Sequence, residues 1–213
     1  MRRFAELRSE ARRWGWARAL YAQLMVRLRP WIVLCRISTQ ALAEFGRNGA
    51  ASPAAHRFAT QLELTELLER MPDVDKGWLP ETEPDELSHC WAAFVDGKIV
   101  SFAWSAYKNA PAGDEMMVGF ETPYVYGRNV YTSRPFRGQH LFDGSGAVKF
   151  HAANGHTHAI GFIETHNFAS WRRARRMGDQ PGGYAGYLKI GQFRIPFRTP
   201  GAKKHTFRFY QAK

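Results

Sequence analysis

The chain is poor in cysteine: Cys35 and Cys90 are the only two among 213 residues. Two thiols cannot build a disulfide framework or a four-cysteine zinc site, which fits a reducing, cytoplasmic setting. Long uncharged apolar runs are also missing. The most apolar stretch, Ala19 to Cys35, is interrupted by Arg27, Arg29 and Pro30, whereas a spanning helix needs about 20 largely uncharged residues. Arg2 and Arg3 open the chain, but arginines keep recurring where a secretory signal would carry its apolar core. His151, His156 and His158 flank a Gly155 turn and lack acids or cysteines at ligand spacing. They read as surface histidines, and no metal is expected. No internal repeat or low-complexity tract is present.

Apolar material is plentiful: 45% of residues are hydrophobic and 14% aromatic. That is enough for a real core, and the length suits one domain with an appendage. The net charge of +11 is unevenly spread. Residues 1–40 hold nine arginines against two acids, residues 41–133 seven basic residues against fourteen acids, and residues 134–213 fourteen against three. A basic field concentrates anionic partners: nucleic acid, an acidic membrane surface or a phosphate-rich cofactor. The acidic middle argues against a surface made for nucleic acid throughout.

The hydrophobic spacing from Phe4 through Leu7, Trp14, Tyr21 and Leu28 predicts a basic helix over residues 3–28, weakened at Gly15. Trp31 to Ile37 is a short apolar run, strand or buried coil, and residues 46–55 form a linker. Phe58 to Leu64 reads as extended, with Thr65 as the cap of a helix over 66–71. Residues 73–86 are an acidic loop. Cys90–Val95 and Ile99–Tyr107 flank Asp96-Gly97 as a hairpin, so Cys90 is expected as a small buried hydrophobe. A strand follows over 125–132, a helix over 139–153, a strand over 159–164 and a helix over 167–177. Gly178 stands at that helix's C-cap. Strands at 184–190, 193–198 and 206–210 close the chain, with their phenylalanines expected on a core face. The fold class is mixed α/β (α+β): a central mixed sheet flanked by helices, with an extra N-terminal helix.

The chemistry concentrates in Tyr131-Thr-Ser-Arg-Pro-Phe-Arg137-Gly138-Gln139-His140-Leu141. A strand ends in a loop carrying two arginines and a glycine, and a helix follows. Outward backbone N–H groups, a helix N-terminus and a glycine that lets the backbone approach closely suit a pyrophosphate. Further along, Ile160–Glu164 leads into Asn167-Phe-Ala-Ser170, a helix, and Met177-Gly178.

In these residues the sequence resembles the GNAT acyltransferase superfamily. Its pattern is a strand, an Arg-Gly-x-Gly-x-Gly/Ala loop, a helix, a strand, then Asn-x-x-Ala/Ser and a glycine at the helix end. Arg137-Gly138 matches the start of the loop, and Asn167, Ser170 and Gly178 match the second half. The resemblance covers roughly residues 57–210, giving a domain over 56–213 after an N-terminal basic helix and linker over 1–55. It departs at His140 and Phe142, where the family loop has small residues, and at Ala174, where many members carry a tyrosine general acid.

The resemblance implies an acyl-CoA-dependent N-acyltransferase, with acetyl-CoA or another acyl-CoA as co-substrate and a primary amine attacking the thioester directly. Thr132, Arg134, Arg137, Gly138, Gln139, His140, Leu141, Asn167 and Ser170 are the expected cofactor contacts. Among Arg172, Arg173, Arg175 and Arg176, one or two would reach the nucleotide phosphates. Glu121 is the preferred general base and Glu164 the runner-up. The alternatives are a catalytically weak GNAT-like domain that binds a ligand or partner, and an acyltransferase fed by an acidic acyl carrier protein at a membrane. The partners are a small-molecule amine, an anionic membrane surface reached through the basic N-terminus or an acidic carrier protein drawn to the basic chain; nucleic acid is disfavoured. The expected location is cytoplasmic, peripheral to a membrane if the N-terminal helix engages one.

Overall fold

The structure, a computed structural model, describes residues 2–44, 52–70, 88–139 and 141–211. The acidic loop 73–86 lies outside the described residues, as does most of the linker 46–55. The chain divides into two units. One comprises Met1–Thr39, Pro111–Phe120 and Phe162–Lys213; the other comprises Gln40–Ala110 and Glu121–Gly161.

In the second unit the hairpin forms where Asp-Gly demands it. Strands β3 (Ser88–Val95) and β4 (Lys98–Ala106) are joined by Asp96 and Gly97, whose φ values of 50° and 72° are those of a type I′ turn. β2 (Ala55–Phe58) pairs with β3, and β7 (Tyr124–Thr132) with β4, both antiparallel. The start of β8 (His158–Glu164) adds to β7 in parallel, which makes the sheet mixed. Strand order here is β8-β7-β4-β3-β2. Helix α3 (Gln61–Arg70) packs Leu64 and Leu67 on Cys90, Ala92, Phe102 and Trp104. Ala93 points the other way, to Val100 and Leu141, so both faces of the sheet are covered. Helix α4 (Ser145–Ala153) brings Phe150 edge-on to Phe58 at 4.7 Å.

In the first unit, helices α1 (Arg2–Trp14) and α2 (Trp16–Leu28) precede β1 (Ile32–Ala41). Strand order is β10-β9-β1-β8, from β9 (Gln180–Ile190) and β10 (Phe193–Arg198). β1 therefore enters the sheet between β9 and the end of β8. Helix α5 (Phe168–Arg176) links β8 to β9. A second sheet, ordered β11-β6-β5, is built from β5 (Ala110–Gly113), β6 (Met116–Gly119) and β11 (Arg208–Gln211), with helix α6 (Pro200–Lys204) before β11. Phe162, Phe207, Phe209 and Tyr187 interlock there, ring edges against ring faces.

The architecture is the expected one: mixed α+β, with a central mixed sheet, flanking helices and added N-terminal helices. Some local expectations shift. The helix expected over 3–28 breaks at Gly15, whose φ is +86°. The segment expected to be extended over 58–64 turns helical at Gln61. Thr60 and Glu63 cap it reciprocally: Glu63 accepts from the Thr60 N–H at 2.9 Å, while the Thr60 hydroxyl oxygen receives the Glu63 N–H. Arg57 and Thr60 hold the Glu63 carboxyl down to about 2. α4 begins at Ser145 rather than at 139. β10 does not bury its phenylalanines: Phe193, Ile195 and Phe197 stand exposed beside Leu188 and Ile190 of β9. β11 does bury Phe209.

Candidate active site

The site grows from β7. Its parallel ladder with β8 joins Tyr124–Tyr126 to His158–Ile160, while β7 itself continues to Thr132. Opposite β4 the register shifts between Phe102↔Tyr131 and Trp104↔Arg128, a bulge that bends β7 where it runs on past that ladder. The strand's end is anchored. Ser133 N–H donates to Val100 O at 2.9 Å. Ser101 donates its hydroxyl to Tyr131 O at 2.7 Å, so the 2.8 Å contact with Thr132 Oγ1 must use the threonine's proton. Ser133 Oγ is buried and has no hydrogen-bond partner among the described residues.

Beyond β7, Arg134–Phe136 make a single 3₁₀ turn. Arg137 Nε donates to Thr132 O at 2.9 Å, which leaves the guanidinium's two Nη groups for another acceptor. Gly138 has φ +81°, and nothing lies within 4 Å of where a Cβ would stand, so the backbone is open to close approach. Gln139 Nε2 donates back to Pro135 O at 2.8 Å. Leu141 is buried, and its carbonyl accepts from Ser52 Oγ at 2.7 Å. His56 Nε2 lies 2.8 Å from that carbonyl and 3.0 Å from Asp143 N, and it meets one or the other according to where its proton sits. Asp143 takes the Ser145 N–H on one carboxylate oxygen and the Ser145 hydroxyl on the other, both at 2.9 Å. The Ser145 N–H is the main reason its carboxyl sits below the usual range. The first turn of α4 therefore already holds an anion of its own, and an incoming phosphate is left to the loop.

Thr132, Arg134, Arg137, Gly138, Gln139 and Leu141 thus lie together on one strand end and loop, while His140 lies outside the described residues. Glu121 sits exposed on the turn entering β7, its carbonyl accepting from Tyr124 N–H. Asn167 and Ser170 belong to the first unit, where Asn167 Oδ1 caps α5 by accepting the Ser170 N–H at 3.1 Å. Gly178 and Asp179 close α5 by donating to Arg175 O and Ala174 O, a Schellman pair with Gly178 at φ +93°. Glu164 ends β8, 3.4 Å from Arg29 and 3.6 Å from His166. Cys90 is buried, and desolvation raises its thiol pKa, which removes it as a nucleophile.

Two histidines expected at the surface are buried. His151, 4% exposed, sets Nδ1 2.9 Å from Tyr107 OH and Nε2 3.1 Å from Ser105 Oγ. His156, also buried, stacks on Tyr107 with ring centroids 4.2 Å apart. Burial, then His89 and His156, pushes the His151 imidazole down to about 4, and burial lifts the Tyr107 phenol to about 12. The local sequence signal was weak: only the spacing of Ser105, near the end of β4, and Tyr107, just past it, sets a hydroxyl and a phenol two residues apart. No cluster of three or more metal-ligating side chains occurs among the described residues, and no helix among them is long and apolar enough to cross a membrane.

No protein-family model and no curated protein matches this sequence. Solved structures match its fold. A functionally unknown conserved protein from Staphylococcus epidermidis ATCC 12228 aligns at TM-score 0.51 and 10% identity, over 76% of this chain and 64% of that one. A proposed acetyltransferase of the GNAT family from Novosphingobium aromaticivorans DSM 12444 aligns at TM-score 0.51 and 14% identity, over 74% of this chain and 63% of that one. The chain thus spans a little under two thirds of the length of each. The fold is thus similar to that of a GNAT-family acetyltransferase, and at these identities the likeness concerns the fold alone.

Proposed function

We propose that the protein is an acyltransferase that moves an acyl group, acetyl being the simplest, from coenzyme A to a primary amine. The observation that carries this reading is β7: it runs past its short parallel ladder with β8, from Gly127 to Thr132, and ends in the Arg134–Leu141 loop. The backbone of this strand end suits the pantetheine amides, and the two arginines with the open Gly138 backbone suit the pyrophosphate. A carrier protein would present the same pantetheine arm.

In such a reaction the amine nitrogen attacks the thioester carbonyl carbon, and the C–S bond breaks as the tetrahedral oxyanion collapses. The thiolate leaves, and the amine's proton must be taken up. Glu121 is the candidate base, directly or through a water. Ala174, at the position of the family's tyrosine, is buried and has no acid to give; the leaving thiolate, mostly protonated at neutral pH, would take its proton from water or back from the base. The test is release of free thiol from acetyl-CoA with a panel of amines, together with calorimetry of CoA binding. Amine-dependent thiol release supports the reading. CoA binding without turnover assigns a binding domain, and neither binding nor turnover overturns the reading.

The N-terminal helices suit attachment to an anionic membrane. Trp16, Leu20 and Leu24, each more than half exposed, lie at successive fourth positions of α2 with Arg27 on the same stripe. The arginine excess of residues 1–40 complements anionic headgroups.

A further inference from the structure

The first unit holds a cavity of about 600 Å³ walled by α1, α2, β1, α5 and β9. Arg18, Arg36, Arg172, Arg175 and Arg176 line it, and no aspartate or glutamate does. None of the five is ion-paired to a carboxylate among the described residues. Three of them lie over rings instead: Arg36 is 4.3 Å from the Trp171 centroid, Arg172 is 4.3 Å from that of Trp14, and Arg18 is 5.8 Å from that of Phe168. A guanidinium stacked on a ring keeps its N–H donors in plane and pointing past the ring edge, the presentation that a phosphate takes bidentately. Five like charges around one concavity repel one another, and an anion is what relieves them.

The walls are fixed. Tyr21 OH donates to Thr165 Oγ1 at 2.6 Å, which ties α2 to the residue after β8. Arg36 and Tyr184 are register partners on β1 and β9, so they stand side by side on one sheet face. Tyr184 is 43% exposed, and its ring makes no ring or cation contact among the described residues. It is a free platform next to a phosphate-directed arginine. Asn167 and Ser170, the expected cofactor contacts on α5, are not on these walls.

We propose that this cavity is a nucleotide site: it takes a di- or triphosphate on its arginines and a planar base on Tyr184, in addition to the acyl donor. Its volume falls within the range of small-molecule pockets, about 300–1,000 Å³. The proposal does not depend on the acyltransferase reading.

Calorimetry on the full chain with ADP, inorganic pyrophosphate and adenosine tests it. The expected result is ADP binding that weakens with salt, weaker pyrophosphate binding and no measurable adenosine binding. Arg36→Gln with Arg172→Gln should weaken ADP by about a hundredfold, since each lost charge-assisted bond costs about tenfold or more. Arg175→Gln with Arg176→Gln, on the exposed side of α5, serves if the first pair impairs folding by circular dichroism. Tyr184→Leu should weaken ADP and leave pyrophosphate unchanged. Failure of the folded wild type to bind ADP overturns the proposal, as does ADP affinity that survives both arginine pairs. One-for-one displacement of ADP by acetyl-CoA also overturns it, by returning these arginines to the acyl donor. Acyl transfer that persists in the arginine variants keeps the two readings separate.

Discussion

Tyr107 OH lies 2.9 Å from His151 Nδ1, and the same imidazole reaches Ser105 Oγ through Nε2 at 3.1 Å. A neutral imidazole has one N–H and one lone pair, and it meets a hydroxyl on either side without strain. A charged one would bring a second proton into a site that burial has made hostile to charge, which is why the pKa falls to about 4. The unfolded chain therefore binds this proton more readily than the folded one. Stability is full above about pH 6.5 and is lost as the pH falls from 6.5 towards 4. Between pH 7 and pH 5 the loss should be about 2 kcal/mol, since each tenfold difference in proton affinity between the two states contributes roughly 1.4 kcal/mol. Urea denaturation at pH 7 and pH 5 should show this loss in the wild type and not in His151→Asn; equal pH slopes in the two would refute it.

The loop after β7 makes the next prediction. Arg137→Ala should weaken acetyl-CoA binding by about tenfold or more, since a charge-assisted phosphate contact contributes roughly 1.5–3 kcal/mol. The thermal midpoint should hardly move, because Arg137 is exposed and makes one hydrogen bond to backbone. Calorimetry that finds the affinity unchanged removes the loop from the cofactor site.

Glu121→Gln should lower kcat while leaving CoA affinity near wild type, and should erase the acidic limb of the pH–rate profile. A profile that keeps its limb would pass the role to Glu164 or to water alone. Glu164→Gln tests the first of these, at the added cost of the Arg29 contact.

The exposed stripe of α2 predicts cosedimentation with anionic vesicles and none with neutral ones, weakening with salt. Replacing Trp16, Leu20 and Leu24 together by serine should abolish it. Each side chain is solvated, so the fold should change by no more than about 0.5 kcal/mol per site. Full-chain protein that ignores anionic vesicles leaves the stripe without this role.

Deleting residues 1–40 should have a larger effect than removing an appendage. β1 pairs Ile32, Leu34 and Arg36 with Leu188, Gly186 and Tyr184, and in the first unit it separates β9 from β8. The truncated chain should lose cooperative unfolding by circular dichroism. A truncation that melts as sharply as the full chain would show that β1 is dispensable.

What could be read ahead of the structure was local chemistry. Asp96-Gly97 has little choice but a type I′ turn between two apolar runs, and Gly178 has little choice but to end a helix. Thr60-x-x-Glu63 also carried its message, but the alternation of Phe58, Leu62 and Leu64 masked it as strand. β5 and β6 are four residues each, too short for periodicity to show. The place of β1 was illegible because its partners lie at the far end of the chain. The same holds for the cavity. The arginines of α5 were visible as a cluster, but their setting opposite Trp14, Tyr21 and Arg36 exists only once the N-terminal helices and β1 have packed. Burial of His151 and His156 is likewise a product of β4 and α4 meeting.

The position of β1 also sets an order of events. Ile32 is synthesised well before its neighbour Leu188, so during that interval the strand has a bare edge and a nascent chain growing past it. Long-range pairing of this kind slows the search for the native sheet. Meanwhile an unpaired strand carrying Val33, Leu34 and Ile37 is a template for the wrong partner. Refolding from denaturant should therefore be slow and concentration-sensitive, and fusions that hold the N-terminus apart until β9 is available should raise the soluble yield.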